Sequence, residues 1–220
     1  MNKLDRIKRI ITGCSFIAFS TLFIIGSSLH SDLFSFELSK NAQEWISEIH
    51  NNISQQIGNL LEYVSAPFLI IMIFSFINTI HSKAYQWGML GGMMALLGCI
   101  SMVGSKGAFC LSVAGIDSLP ESEFQQMFPA FKALYEKAGM LKITLALPLL
   151  PIGFAVQCIG LIRGNYLPKW QAVLILIGSI LLINPGIEII SLLGSLCIGI
   201  GLLPASLLLI QNANTQIKPF

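Results

Sequence analysis

The sequence predicts an all-α membrane protein, a polytopic transmembrane helical bundle of six spans with two amphipathic helices on its outer side. Of its 220 residues, 54% are hydrophobic and only 11% are charged, whereas roughly a quarter of the residues in soluble domains are charged. The apolar residues gather into long runs, and the charges are divided unequally between the segments that separate them. Because so few polar groups are available to cover a surface, hydrocarbon is expected to solvate most of the chain.

The predicted spans follow from the lengths of the apolar runs. About 20 apolar residues, each rising about 1.5 Å, cross a hydrocarbon core of about 30 Å. The first run is too long for the core of a signal peptide, which usually has about 7–15 residues, so it is read as a retained span. The six runs lie at 10–29, 63–80, 87–104, 143–162, 168–184 and 187–210.

The fifth run is the shortest, with 17 residues, and it ends at Asn184-Pro185-Gly186. Proline cannot continue a helix and glycine adopts positive φ, so this tripeptide predicts a sharp turn. The turn separates two spans or breaks one re-entrant segment. Because 168–210 has 43 residues, too many for one crossing, two spans are favoured.

The charges predict that both termini are cytoplasmic. With six spans and a cytoplasmic N-terminus, eight bases lie inside with a single acid, Asp5, and the other ten acids lie outside. Bases in short loops near span ends mark the cytoplasmic side. Trp87 and Trp170 start their spans on that side, as an interfacial aromatic belt requires. The inner bases are Lys3, Arg6, Lys8, Arg9, Lys83, Arg163, Lys169 and Lys218.

Two hydrophilic segments, 31–62 and 105–142, fall on the outer side of this single membrane domain, 1–220. Both carry apolar residues at three- and four-residue steps, which predicts amphipathic helices. Ser118 and Pro120 indicate a helix start, and Pro129 predicts a kink or an interruption. The stripes are Trp45, Ile46, Ile49, Ile53, Ile57, Leu60 and Leu61, and Phe124, Met127, Phe128, Phe131, Leu134 and Tyr135.

Three roles are open for these outer helices: lying in the lipid interface, packing on the mouth of the bundle, or binding a partner. Interfacial helices usually carry Lys and Arg, whereas these are acidic or mixed. Packing on the bundle mouth is therefore favoured. The first of them is expected to run straight into the second span.

Small residues in the spans predict close contact between helices. They form a glycine-rich face in the third span and a stripe in the last. These faces pack within the chain or join it to a homo- or hetero-oligomeric partner, in addition to the lipid bilayer. They are Gly88, Gly91, Gly92 and Gly98, and Ser191, Ser195 and Gly199.

No cofactor, metal or nucleic acid is predicted. The net charge of +2 is too small to indicate a nucleic-acid partner. Cys110 is assigned to a polar loop and the other four cysteines to apolar stretches, with no metal spacing. His30, His50 and His81 predict no shared site. No catalytic motif appears, so there are no candidate catalytic residues, and an enzyme is the less favoured class.

Candidate ligand-binding residues are the ionisable and polar groups at the outer ends of the spans: Glu188, Glu62 and Lys106, with Asn184 in the turn. Ionisable groups within spans are costly and therefore indicate function by default. Glu188, Glu62 and Lys106, together with Lys142, are expected to form ion pairs around an outward-facing cavity. The alternative for Glu188 is a carboxylate that merely reaches the outer interface.

The segments Gly160-Leu-Ile-Arg163 and Tyr166-Leu-Pro-Lys-Trp170, followed by a glycine-rich last span, resemble a bacterial family of six-span membrane proteins known only as a domain of unknown function. The resemblance implies six spans and a bacterial cytoplasmic membrane, and it brings no catalytic residues. The leading hypothesis is a protein that binds or transports a small or lipidic molecule. The alternatives are a structural or regulatory subunit of another membrane protein and a membrane-embedded lipid-modifying enzyme.

Overall fold

All regular elements are helices in the part of the chain that the computed structural model describes, residues 3–30, 33–34, 42–81, 84–137, 146–183 and 187–214. The predicted all-α fold is confirmed. The elements are α1 (Lys3–Ser28), α2 (Ala42–Ile49), α3 (Ile53–Thr79), α4 (Tyr85–Val103), a π-helical segment (Gly104–Cys110), α5 (Leu111–Ile116), α6 (Glu121–Lys137), α7 (Leu149–Gly164), α8 (Lys169–Leu181) and α9 (Glu188–Asn214).

Four stretches of helix are long and apolar enough to cross a membrane: α1, α3, α9, and the continuous run Tyr85–Ile116. Two of the predicted spans correspond to apolar helices that are shorter, α7 with 16 residues and α8 with 13. Length and composition therefore support four spans directly. Helix α1 begins at Lys3, well before the predicted start of the first span.

The six apolar helices form a closed ring that follows the order of the chain. Each of α1, α3, α4, α7 and α8 contacts the next, and α9 packs back on α1. Near the start of α1, Arg9 donates to the Asn212 carbonyl near the end of α9, at 3.3 Å. The start of α1 and the end of α9 therefore lie at the same end of the bundle, called the inner end below.

Glycines let the helix backbones touch. A Cβ atom added to Gly98 of α4 would lie 2.1 Å from the Leu150 nitrogen of α7, and one on Gly153 of α7 would lie 2.3 Å from the Ala95 nitrogen. These distances are far below van der Waals contact, so only glycine fits. The glycine-rich face of α4 thus packs within the chain. In α9, Gly199 faces Ile24 of α1.

The bundle is apolar outside and partly polar inside. On the face of α4 that points away from the other helices, four apolar residues are 54–67% exposed: Leu90, Met93, Leu97 and Ile100. By contrast, Gln157 of α7 is fully buried. A water-soluble helix presents the opposite pattern. This distribution is that of a protein surrounded by lipid.

The outer end is covered in part by a cap, formed by α2, α5 and α6. Helix α2 packs against α5 and α6, and α5 contacts α3. The apolar core of the cap consists of Ile46, Ile49, Cys110, Val113, Phe124 and Phe131. Cys110 is therefore a buried residue of the π-helical segment, and its assignment to a polar loop is wrong.

Three boundaries differ from the predictions. The first predicted outer helix is broken in two, because Asn51 has a left-handed φ of 56° and Asn52 caps α3 by accepting from the Gln55 N–H; only its second half runs into the second span, as predicted. Ile53 to Leu61 consequently belong to α3. Ser118 does not cap α6, since its hydroxyl donates to the Gly115 carbonyl, and α6 continues through Pro129.

Candidate functional site

Four ionisable side chains from distant parts of the chain meet at the outer end of the bundle. His30 follows α1, Glu62 lies in α3, Lys106 in the π-helical segment, and Glu188 at the start of α9. Their side chains are only 3%, 6%, 15% and 15% exposed, respectively. Together with the neutral Ser27 and Asn59, they are called the outer cluster.

Lys106 and Glu62 form the central ion pair of the outer cluster. The Lys106 ammonium lies 2.6 Å from Glu62 Oε2 and donates to Asn59 Oδ1 at 2.7 Å. Ser27 donates to the other Glu62 oxygen at 3.3 Å. Because Asn59 and Glu62 are three residues apart, they share one face of α3. The ammonium is thus already engaged by two acceptors of that face.

His30 lies between the two carboxylates. Its Nδ1 is 2.9 Å from Glu188 Oε2, and its Nε2 is 3.7 Å from Glu62 Oε1. Among the described residues, neither ring nitrogen has an aligned hydrogen-bond partner, and neither does Asn59 Nδ2. The short distance to Glu188 without alignment means that proximity, rather than a formed hydrogen bond, relates the two groups.

Close packing of α1 on α3 positions His30 and Glu62. A Cβ atom on Gly58 would lie 2.7 Å from the Gly26 carbonyl, and one on Gly26 would lie 2.8 Å from Glu62 Cγ. Gly26 therefore leaves the space that the Glu62 side chain occupies. The Ser54 hydroxyl donates to the Leu29 carbonyl at 2.9 Å, which joins the end of α1 to the start of α3 next to His30.

Lys106 is presented by a seven-residue π-helical segment, Gly104–Cys110. π-Helical turns are rare and occur frequently at functional sites. The segment fits against α3 because Gly107 has no side chain. A Cβ atom there would lie 2.7 Å from the Tyr63 ring.

The charge of the outer cluster depends on one proton. With an uncharged His30, the two carboxylates and the one ammonium sum to −1, and protonation of His30 brings the sum to zero. In a site of low dielectric constant, this difference of one charge strongly changes the electrostatic energy of a charged ligand. Within the described part of the chain, no three His, Cys, Asp or Glu side chains are arranged to hold a metal ion.

A second histidine, His50, joins the end of α2 to the other two helices of the cap. Its Nδ1 lies 2.7 Å from Asp117 and its Nε2 lies 3.1 Å from Glu121, while Phe124 stacks on the ring at 3.6 Å. Asp117 also accepts from the Asn51 N–H at 2.7 Å and from the Gln56 amide. The residues His50, Asp117, Glu121, Asn51 and Gln56 are called the cap latch.

The cap latch shifts two pKa values. Burial disfavours the charged imidazole, but the hydrogen bonds and charges of Asp117 and Glu121 outweigh it and raise the pKa of His50 above its ordinary 6.5. The pKa of the Glu121 carboxyl is lowered, first by the hydrogen bond from Gln125 and then by that from His50. Both shifts favour the charged pair.

The structure brings three of the four candidate residues together: Glu62, Lys106 and Glu188. Asn184 lies outside the described residues, as does Lys142. His30, Asn59 and Ser27 were not among the site residues predicted from the sequence. The three-residue spacing of Asn59 and Glu62 was an available signal, but no spacing relates His30 to α9. The three histidines share no site, and His81 lies at the inner end beside Tyr166.

Comparison of the chain with protein-family models, curated proteins and solved structures finds no match. Because fold alone does not imply function, the function has to be argued from the site.

Proposed function

We propose that this protein spans the bacterial cytoplasmic membrane six times, with both termini in the cytoplasm. Four helices satisfy the length criterion, and α7 and α8 complete the ring between α4 and α9. The Arg9 contact with Asn212 favours an even number of crossings, since it joins the two ends of the chain. Bases such as Arg9 and Arg163 near the inner end agree with a cytoplasmic location.

We further propose that the protein binds a small ligand from the outer side at the outer cluster. The observation that carries this proposal is the burial of four ionisable side chains in an apolar bundle, where the described residues offer the His30 and Asn59 nitrogens no aligned partner. Burying charges costs free energy, and apolar replacements are often as stable or more stable. A membrane protein that keeps such a group at one mouth keeps it for binding or transport.

The charges favour a small cation as the ligand. Two carboxylates face His30, and the only ammonium of the cluster already contacts Glu62 and Asn59. An anion would meet Glu62 and Glu188, and the described residues of the outer cluster hold no further ammonium or guanidinium to balance them. A cation of the ammonium or guanidinium class would meet two carboxylates, for which such groups are good donors.

Thermal unfolding of the full chain in detergent tests this binding. Methylammonium and guanidinium are compared with acetate as probes, on wild type, Glu188→Gln and the matched control Glu123→Gln. A ligand at about 100 times its Kd adds roughly 2.7 kcal/mol, and each kcal/mol raises Tm by about 2–4 °C in a chain of this size.

We expect a cationic probe to raise the Tm of wild type and of Glu123→Gln, and to lose this effect in Glu188→Gln. Glu123 is an exposed residue of α6, so its substitution makes the same change of charge away from the outer cluster. Equal shifts in all three proteins, a stronger effect of acetate, or no shift of wild type would contradict the proposal.

The alternative function, a subunit that partners another membrane protein, gains no support from the glycines. Gly91 and Gly98 of α4 are occupied by α7, and Gly178 and Gly194 join α8 to α9. Close packing within the chain accounts for these residues, so a partner would need a different surface.

A further inference from the structure

The surroundings of His30 are matched to only one protonation state of its ring. An uncharged imidazole has one N–H donor and one acceptor nitrogen, whereas a carboxylate only accepts. Both ring nitrogens of His30 face carboxylates, Glu188 at 2.9 Å and Glu62 at 3.7 Å. Neither contact is an aligned hydrogen bond, but the uncharged ring still places one nitrogen lone pair near a carboxylate, which is electrostatically unfavourable. The imidazolium instead places a positive charge between the two carboxylates.

The same proton neutralises the outer cluster. Glu62 and Glu188 contribute two negative charges and Lys106 one positive charge, so a proton on His30 brings the total to zero. In the part of the chain that the structure describes, the other titratable group that faces the site is Cys110, which interacts electrostatically with Lys106. Ser27 and Asn59 are neutral. The position of the ring between two carboxylates and the charge balance of the cluster thus both favour a proton on His30.

We infer that a proton is a ligand of the outer cluster, held on His30 between Glu188 and Glu62, and that it competes there with the small cation. The competition rests on the proposed function, while the proton site stands on the geometry of His30. Uptake uses the lone pair of one ring nitrogen, breaks no other bond, and changes the charge of the cluster from −1 to zero. A neutral cluster no longer attracts a cation, so proton and cation exclude each other.

The protonation of His30 can be followed by ¹⁵N NMR of histidine-labelled full-length protein in detergent micelles. The chain has three histidines, so His30→Gln assigns the His30 signal. Wild type, Glu188→Gln and Glu121→Gln are titrated from about pH 5 to about pH 8. Glu188→Gln removes a carboxylate next to His30, and Glu121→Gln removes one next to His50.

We expect a smaller fraction of doubly protonated His30 in Glu188→Gln than in wild type at the same pH, because the ring loses a negative charge in contact with it, and we expect the His50 signal to be the same in both. Glu121→Gln should change only the His50 signal. A His30 signal that is the same in wild type and Glu188→Gln would overturn the proton site. Should Glu188→Gln fail to fold, wild type decides, because ¹⁵N shifts that report an uncharged His30 ring over this whole range also overturn it.

Competition is measured separately, as the pH dependence of methylammonium binding. The apparent Kd of wild type should rise by up to about tenfold per pH unit as the site takes up its proton, and that of His30→Gln should not change with pH. A Kd of wild type that is independent of pH would overturn the competition. If Glu188→Gln leaves the His30 NMR signal unchanged but abolishes cation binding, only the proton inference is excluded. If Glu188→Gln changes the His30 signal but wild type binds no cation, the proposed function is excluded and the proton site stands.

Discussion

Two histidines of this protein each lie between two carboxylates, yet their surroundings differ. In the cap latch, His50 is 17% exposed and is bonded to Asp117 at 2.7 Å and to Glu121 at 3.1 Å. In the outer cluster, His30 is 3% exposed and has no aligned partner among the described residues. Satisfied polar groups stabilise a fold, whereas buried unsatisfied ones cost free energy and call for another explanation. The comparison therefore separates a structural contact from a candidate binding site.

The largest loss of stability is expected from Lys106→Met. This variant leaves Glu62 buried without its cation, and breaking a buried pair by removing one partner costs roughly 3–5 kcal/mol. The free energy of unfolding in mixed micelles measures the loss. The double variant Lys106→Met/Glu62→Gln should recover most of it, because no buried charge is then left unpaired. A single variant as stable as wild type would show that the cluster is more hydrated than its burial indicates.

A smaller and more local loss is expected from Asp117→Ala in the cap latch. Asp117 accepts from His50, the Asn51 N–H and Gln56, and hydrogen bonds to charged groups contribute about 1.5–3 kcal/mol. Amide hydrogen exchange should therefore speed up in α2 and α6 and stay unchanged in α7. Glu123→Ala, an exposed site on the same cap, serves as control. Equal exchange in the two variants would argue against a latch.

The helices were predictable from the sequence, and some of their ends were not. Apolar runs identified every helix of the ring because burial in lipid requires them. The break at Asn51 was missed, since left-handed φ at an asparagine depends on the Asp117 carboxylate that accepts its N–H. The π-helical segment was also missed. Its register follows from packing against Tyr63 rather than from local composition.

The site was predictable only in part, for a related reason. Glu62, Lys106 and Glu188 share the outer ends of apolar runs, so hydropathy alone assigned them to one depth. His30 joins them because α1 packs against both α3 and α9, and its contact with Glu188 joins segments that are distant in the chain. Local spacing carries no signal for such a contact, so the sequence predicted only that the three histidines share no site with one another.

The cap latch should also depend on pH. Because the pKa of His50 is raised above 6.5, its stabilising charge is fully present below about pH 6.5 and is lost as the pH rises through the raised value. Hydrogen-exchange protection of α2 should thus decline as the pH rises through the raised pKa of His50. His50→Gln should abolish the decline, and a decline that persists would assign it to another group.

The smallest effect on Tm is expected from Glu121→Gln, and this variant contrasts most clearly with Glu188→Gln. Both substitutions remove a carboxylate near a histidine nitrogen, at 3.1 Å and 2.9 Å respectively. The Glu121 side chain is 61% exposed, so water and salt screen its interaction, and Tm should not change measurably. Any small difference should vanish at high salt. Glu188 is 15% exposed, and screening there is weak. If Glu121→Gln disturbed the Tm as much as Glu188→Gln does, burial would not be what distinguishes the two histidine sites, and the argument for binding at His30 would lose its basis.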